Sequence, residues 1–251
     1  MIRFFVLVLM MVPLAHAQQN EAVDAYIVGD YGTAAEVSEA SGAADDLAFA
    51  AQSVLAEAMS MQTGQPTEDR LERAEALARK ALEVDENHVE GRLHLAISLS
   101  LQARSMSNRQ VRRSGIGQQA RELAIEILEE DAGNVFANGL LAVWNVEVFR
   151  RGGRIGARIM GASMQAGRQH YEAGVASSPD DGSLHWQWAR VLAATNPRKY
   201  RGEIEAALAA SVAANTDDAL EGVMQARAQR LQQILETATN AEIKAAAKEM
   251  L

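Results

Sequence analysis

A helical pattern that recurs four times is the feature that most constrains the fold of this chain. The stretches "KALEVDENH" (80–88), "IEILEEDAGN" (125–134), "GVASSPDDG" (174–182) and "SVAANTDDA" (211–219) each run into an acidic turn, and another helical pattern follows. A less regular copy begins at "VGDYGTAAEVSEAS" (28–41). Helix pairs that recur in this way bury their apolar faces on neighbouring pairs, as in an α-solenoid. The pattern therefore predicts an all-α solenoid of about five antiparallel helix pairs, closed by a short C-terminal helix over 240–251.

The helices before the acidic turns carry a narrow stripe of small side chains at helical spacing. Its members are Ala74, Ala78 and Ala81 in one copy, Ala120, Ala124 and Ile127 in the next, and Gly167, Tyr171 and Gly174 in a third. Such a stripe predicts close contact with a partner helix. With only four prolines and no cysteine, stability must come from this apolar packing rather than from disulfides.

Residues 1–17 have the composition of a secretory signal peptide. Arg3 supplies positive charge, residues 4–14 form an apolar stretch, and residues 15–17 (Ala-His-Ala) have the small-x-small form that signal peptidase prefers. The apolar stretch is shorter than the ~20 residues of a membrane-spanning helix. We therefore expect cleavage before Gln18, export to the periplasm or beyond, and a single solenoid domain over 18–251.

Charge and residue types argue against several functions. A formal net charge of −9 disfavours nucleic acid as the main partner, because that affinity depends on neutralising phosphates. The chain lacks cysteine, a His-Glu-x-x-His pair and a Gly-x-Ser-x-Gly elbow. The glycines of "GGRIGA" have neither the spacing nor the preceding strand of a nucleotide-binding loop. We therefore expect no catalytic residue, no metal site, no cofactor and no transmembrane span in the mature chain.

Three basic links are predicted between the first and second helices of successive pairs. They cover residues 103–118, 149–163 and 196–202, and they contain the excess length of the repeats. Their candidate binding residues are Arg112 and Arg113, then Arg150, Arg151, Arg154 and Arg158, then Arg198, Lys199 and Arg201. The opposite turns are acidic, so a solenoid places a basic edge and an acidic edge on opposite sides.

Each edge has an explanation that needs no partner. Acidic residues before a helix are favoured by its free N–H groups and its dipole, and arginine is favoured at a helix C-terminus. Link residues are also commonly solvated. The alternative for the basic edge is docking of an anionic partner, such as an acidic protein segment, a lipid headgroup surface or a cell-wall polymer. Ser163 is the predicted N-cap of the helix after the second link.

The concave face is the second candidate surface, because first helices line it in proteins of this kind. Candidate peptide contacts on these helices, with solvated helix surface as the alternative, are Arg92, Asn138, Asn145, Gln187 and Arg190. Trp186 and Trp188 lie on different faces, since residues two apart are about 200° around a helix. We expect one of them in the core and the other partly exposed near a groove.

Several stretches resemble known repeats. "GDYGTA" and "ARKALEVDEN" are similar to the second-helix and turn signatures of tetratricopeptide repeats, and the resemblance covers roughly residues 22–237. Such a turn usually ends in Asp-Pro. The proline is present only at Pro179, and in the other copies its position is occupied by Glu86, Ala132 and Thr216. These positions are 46, 47 and 37 residues apart, against a usual period of ~34. Residues 80–215, with "LAVWNVEV" and "GASMQAGRQHYEAGVASSPDD", are similar to bacterial relatives of the regulator-of-microtubule-dynamics group.

These observations predict a binding protein rather than an enzyme. We expect an exported, non-enzymatic scaffold that binds a protein or peptide through its concave face, its basic edge or both, with an anionic surface or lipid as a further candidate partner. The alternative is a small-ligand or lipid-binding accessory component of an envelope or transport system. A closed apolar pocket would favour the alternative, and an open groove lined by asparagine, arginine and glutamine would favour the scaffold.

Overall fold

The computed structural model describes residues 11–61 and 67–250, and within these ranges the chain forms helices and turns without strands. The thirteen helices of this part of the chain are α1 (Met11–Ile27), α2 (Tyr31–Glu39), α3 (Ala44–Ser60), α4 (Glu68–Val84), α5 (Val89–Ser105), α6 (Asn108–Ser114), α7 (Ile116–Glu130), α8 (Val135–Met160), α9 (Met164–Ser177), α10 (Gly182–Thr195), α11 (Arg201–Ala213), α12 (Ala219–Thr237) and α13 (Asn240–Glu249). The predicted all-α helical-repeat fold is confirmed.

The helices pack in two layers. The inner layer contains α3, α5, α8, α10 and α12, and the outer layer contains α2, α4, α7, α9 and α11. Each inner helix packs on the outer helices next to it in the chain and on the following inner helix. Since every helix pair reverses the chain direction, the inner helices all run the same way. The short terminal helix α13 packs on α10 and α12.

Small side chains let the two layers approach closely, as predicted. The six stripe residues of α4 and α7, from Ala74 to Ile127, are fully buried. In α9 a Cβ atom at Gly174 would lie 2.9 Å from Leu184 Cδ2, so any larger residue there would force Leu184 of α10 to move. This packing explains why the stripe contains alanine and glycine rather than larger apolar residues.

Most helix starts follow simple capping chemistry. Ser163 accepts a hydrogen bond from a backbone N–H of α9, which confirms the predicted N-cap. Asp181 and Asp218 cap α10 and α12 in the same way. In two other acidic turns the cap is a neighbouring residue, His88 for α5 and Asn134 for α8. Capping therefore explains part of the acidic edge without a partner.

The predicted basic links are largely helical, which corrects the interpretation of 149–163 and 103–118 as loops. Helix α8 is interrupted at Gly153, whose φ of 60° and ψ of −168° are not helical, and a second helical segment follows and ends at Met160. In the first link, α6 lies between α5 and α7. The third link, 196–202, is a turn until α11 begins at Arg201. The glycines of the second link had indicated a connection between two helices, and one non-helical glycine, Gly153, is enough to redirect the chain there.

The two ends of the repeat array meet. Arg227 of α12 donates hydrogen bonds from Nη1 to Met59 O at 2.7 Å and from Nη2 to Met61 O at 2.8 Å, at the end of α3. A Cβ atom at Gly29 would lie 3.0 Å from Ala219 Cβ. One core cluster contains residues from α1 and α2 together with residues from α10 to α13. The inner helices therefore form a closed ring.

The predicted signal peptide lies partly outside the described residues, which begin at residue 11. Helix α1 extends across the expected cleavage position before Gln18. Signal-peptide cleavage, export and the single-domain boundary stay predictions. Within the two described ranges, no helix has both the length and the apolarity to cross a membrane.

Candidate functional site

A cavity of about 730 Å³ lies inside the ring and is bounded by all five inner helices. Its wall is mainly aliphatic, with Leu93 and Ile97 from α5, Leu140 and Val143 from α8, and Met224 from α12. The volume falls in the range of about 300–1,000 Å³ that is usual for small-molecule sites. We call this space the central cavity.

Charged side chains gather in the part of the central cavity near the end of α5. Arg104, Glu147 and Arg190 line the wall there. Arg150 donates two hydrogen bonds to Glu147 Oε2, from Nε at 2.9 Å and from Nη2 at 2.5 Å. Burial opposes ionisation of Glu147, but the charges of Arg150, Arg190 and Arg104 and the hydrogen bonding from Arg150 hold its pKa below the ordinary value. This part of the cavity therefore carries more positive than negative charge.

Arg190 is the most deeply buried of these cations, with a relative exposure of 2%. Its Nε donates a hydrogen bond to Gln187 Oε1 at 3.0 Å. Burial first, and the like charge of Arg104 second, lower the pKa of Arg190 to about 9, so the guanidinium stays charged at pH 7. The structure thus holds a full charge in an apolar wall.

The other end of α5 presents a less charged wall. His94 is buried beside Glu90. It lies ten residues before Arg104, so the two residues are separated by about 15 Å along the axis of α5. Burial, followed by the charge of His88, lowers the pKa of His94 to about 4, so its ring is neutral at pH 7. Burial raises the pKa of Glu90, and His88 partly offsets that effect. The central cavity is therefore polarised, with its positive end near Arg104.

Four of the five predicted peptide contacts are buried rather than solvated, which corrects their placement: Arg92, Asn138, Asn145 and Arg190. Asn138 Nδ2 donates to two backbone carbonyls of the turn before α8, and Asn145 Oδ1 accepts from the backbone N–H of Ser163 at 3.0 Å. Arg92 pairs with Glu130 at 2.7 Å. These three side chains fix turns and helix starts, whereas Gln187 and Arg190 line the central cavity.

Two arginines of the second link are also held by the protein itself. Arg151 donates from Nε to Asn108 Oδ1 at 2.9 Å, from Nη1 to Ala103 O at 2.7 Å, and from Nη2 to Met106 O. It therefore satisfies free carbonyl groups at the end of α5. Arg150 pairs with Glu147, as described above.

The four remaining candidate arginines of the first two links form an exposed surface beside the central cavity. Arg112 and Arg113 on α6, and Arg154 and Arg158 on α8, are exposed, and their side chains make no hydrogen bond or ion pair with the described residues. Ile155 lies between Arg154 and Arg158 in the sequence, Ile159 directly follows Arg158, and each isoleucine is 78% exposed. Arg112, Ile155 and Ile159 also border the cavity. We call these six residues the arginine–isoleucine surface.

The third link contributes less free charge. Arg201 pairs with Glu205 at 2.5 Å and donates to Leu235 O at 2.9 Å, at the end of α12. The Lys199 ammonium lies 4.9 Å from the centre of the Tyr200 ring. Arg198 is exposed.

Both tryptophans of α10 are buried, so the expectation that one would be partly exposed is wrong. Trp186 is fully buried and Trp188 is stacked on Tyr171 with ring centres 4.8 Å apart. Helix α10 packs on α8, α9, α11, α12 and α13, and its remaining side, with Gln187 and Arg190, lines the central cavity. Both tryptophan rings lie on sides of α10 that neighbouring helices cover.

Two residues that shape the site were not among the sequence-predicted set. Glu147 had a usable signal, since it is a carboxylate inside the apolar run "LLAVWNVEVF" (140–149). Such a residue needs cationic partners when it is buried. Arg227 had no local signal, because its partners are backbone carbonyls far away in the sequence.

The fold and the cavity define the class of this protein as an all-α helical-repeat ring with a mainly apolar central cavity. In the part of the chain that the structure describes, no group of three or more histidine, aspartate or glutamate residues is arranged to hold a metal ion. Comparison with protein-family profiles and with curated proteins finds no match to this chain.

Proposed function

We propose that the protein is a non-enzymatic helical-repeat binding module that takes a small, largely apolar molecule into its central cavity. The observation that carries the proposal is the ring, whose inner helices surround about 730 Å³ with mainly aliphatic walls. Apolar walls in contact with water are unfavourable, and a ligand that displaces this water recovers the free energy. This is the accessory, small-ligand role that the sequence left as the alternative.

The class and the location of the module are part of the same proposal. The turn signatures of the sequence support a degenerate tetratricopeptide-like repeat, and residues 1–17 support export with cleavage before Gln18. A periplasmic module of this kind would serve an envelope or transport system by holding a ligand for another component.

A neutral apolar dye tests the proposal directly. We expect Nile red to bind the full chain saturably with one site, with a blue-shifted emission. Val143→Trp places a bulky ring in the cavity wall and should weaken dye binding at least about tenfold, because overpacking of this size costs more than about 1.4 kcal/mol. Fluorescence titration measures both affinities.

Val84→Trp is the matched control, since Val84 is 60% exposed at the end of α4 and does not line the central cavity. It should bind the dye as the unmodified protein does. Circular dichroism establishes that each variant is folded. Equal affinities for a folded Val143→Trp variant and the unmodified chain would show that the dye binds elsewhere, and the proposal would then fail.

We propose as a second function that the arginine–isoleucine surface docks an acidic protein segment. Four guanidinium groups without a partner among the described residues, and two isoleucines at 78% exposure, favour a partner that is both anionic and partly apolar. This retains the scaffold role expected from the sequence and assigns it to part of the basic edge rather than to the concave face.

Charge reversal tests the second function. Glutamate at Arg112, Arg113, Arg154 and Arg158 together should abolish binding to a polyglutamate peptide, which we expect to be measurable at low salt and weaker at about 0.15 M salt. Arg151 is left in place because it caps α5. Reversal of the exposed Arg230 and Arg198 is the control. Retained polyglutamate binding, or binding only to anionic vesicles, would contradict a protein partner at this surface.

A further inference from the structure

Arg190 is a buried cation whose hydrogen bonding is incomplete. Its Nη1 has no hydrogen-bond partner among the described residues, although the side chain is 98% buried and lines the central cavity. Its Nε is satisfied by Gln187. Guanidinium groups have five N–H donors and are almost never fully buried unless they are paired. The unpaired donor in the cavity wall therefore points to a missing acceptor.

The charges around Arg190 do not balance. Arg104, Arg150 and Arg227 repel its guanidinium, and Glu147 is the carboxylate that attracts it. Both hydrogen bonds that Arg150 donates to Glu147 fall on Oε2, so this carboxylate is already the partner of another arginine. Arg104 lines the same wall and has no ion-pair partner among the described residues. Arg104, Arg150 and Arg190 thus share the charge of one carboxylate, Glu147, which leaves room for a further negative charge.

A third donor lies next to this pair. Ser100 is one turn before Arg104 on α5, on the same helix face, and its buried Oγ has no hydrogen-bond partner in the described part of the chain. Two guanidinium groups and a hydroxyl thus line a cavity whose wall is otherwise mainly aliphatic. Buried donors of this kind are costly when they stay unpaired, so their arrangement favours a ligand that supplies acceptors.

We infer that the central cavity binds an amphipathic carboxylate, with the carboxylate against Arg190 and Arg104 and the apolar body along Leu93, Ile97 and Val143. The inference rests on the proposed small-ligand function and adds the chemical class of the ligand. A carboxylate matches the planar fork of a guanidinium. A monoanion is also favoured over a phosphate dianion, because removing a second charge from water costs more.

Matched ligands of one chain length test this inference. Dodecanoate and 1-dodecanol compete with Nile red for the full chain, and they share an apolar body but differ in charge. We expect dodecanoate to bind about 10- to 100-fold more tightly, the range that one charge-assisted hydrogen bond contributes. Equal affinities would overturn the inference and leave the proposed function standing. If neither ligand nor the dye binds, the proposed function itself fails.

Substitution of Arg190 assigns the preference to its guanidinium. Arg190→Met keeps an unbranched apolar side chain and should lose the preference for dodecanoate while retaining the affinity for 1-dodecanol. Arg190→Lys should keep part of the preference, and Arg230→Met, at an exposed position of α12, should keep all of it. Arg104→Met is a second, independent variant and should also reduce the preference.

The thermal midpoint of the ligand-free protein separates a ligand-binding role of Arg190 from a purely structural one. If Arg190 served only to stabilise the core, its replacement would lower this midpoint. Arg190→Met removes an uncompensated buried charge, so its midpoint should equal or exceed that of the unmodified chain. A folded Arg190→Met variant that still prefers dodecanoate would overturn the inference. A large fall in the midpoint together with unchanged ligand selectivity would do the same, because it would assign Arg190 to the core alone.

Discussion

Replacing Arg227 with alanine is expected to lower the free energy of unfolding by about 2–4 kcal/mol and to open the ring. The side chain donates two hydrogen bonds to backbone carbonyls at the end of α3, at 2.7 and 2.8 Å. A hydrogen bond to a charged group contributes about 1.5–3 kcal/mol, and the half-buried position reduces the sum. Chemical denaturation measures the stability, and small-angle X-ray scattering should detect a larger radius of gyration.

Arg230→Ala is the matched control for this prediction. Arg230 lies one turn later on α12, is exposed, and makes no hydrogen bond or ion pair with the described residues. Its removal should change the free energy of unfolding by less than about 0.5 kcal/mol. If Arg227→Ala matches the control in both stability and scattering, the closed ring does not depend on this contact.

Gly153→Ala is expected to destabilise the protein by about 1–3 kcal/mol, because φ 60° and ψ −168° belong to a backbone region that is essentially restricted to glycine. One way to relieve this strain is for the two segments of α8 to join into a straight helix. Straightening would pull Ala157 and Ala162 away from Trp144, and these three residues form a small core cluster of their own. Thermal unfolding followed by circular dichroism gives the change, and tryptophan emission reports on Trp144.

Gly156 provides a control with an expected effect of opposite sign. It lies in the helical part of α8 after the bend, and a Cβ atom there would meet nothing within 4 Å. Gly156→Ala should therefore stabilise the protein by about 0.5–1 kcal/mol, since alanine loses less backbone entropy than glycine in a helix. If both substitutions shift stability in the same direction, the bend at Gly153 does not carry the strain assigned to it.

Local patterns were sufficient to predict the repeat units. Helical spacing placed the buried stripe from Ala74 to Ile127, and hydroxyl chemistry placed the cap at Ser163, because both depend on residues within one or two turns. The glycine-rich stretch 149–163 was misread as a loop, since glycine has a low helix propensity. Packing of Ala157 against Trp144 stabilises helix in that stretch, and that contact has no local signature.

The central cavity was beyond the reach of the same reasoning. Its existence depends on small rotations between successive helix pairs that add up until α12 meets α3. Arg227 and Met59, which form a hydrogen bond that closes the ring, are 168 positions apart in the chain. Arg190 could be selected as a polar residue on a first helix, but its burial depends on the five helices around it. The periodicity of the sequence predicts the individual helix pairs. The rotation between successive pairs decides whether the array curves enough to enclose a cavity.

Closure of the ring also limits how this protein can evolve. An open solenoid tolerates the gain or loss of a repeat, because each unit contacts only its neighbours and the array has free ends. Here both ends belong to one interface, so a duplicated or deleted helix pair would separate Arg227 from the carbonyl groups of α3. The number of helix pairs is therefore fixed by geometry. Sequence change in this lineage should accumulate as substitutions and short turn insertions, with whole repeats neither added nor removed.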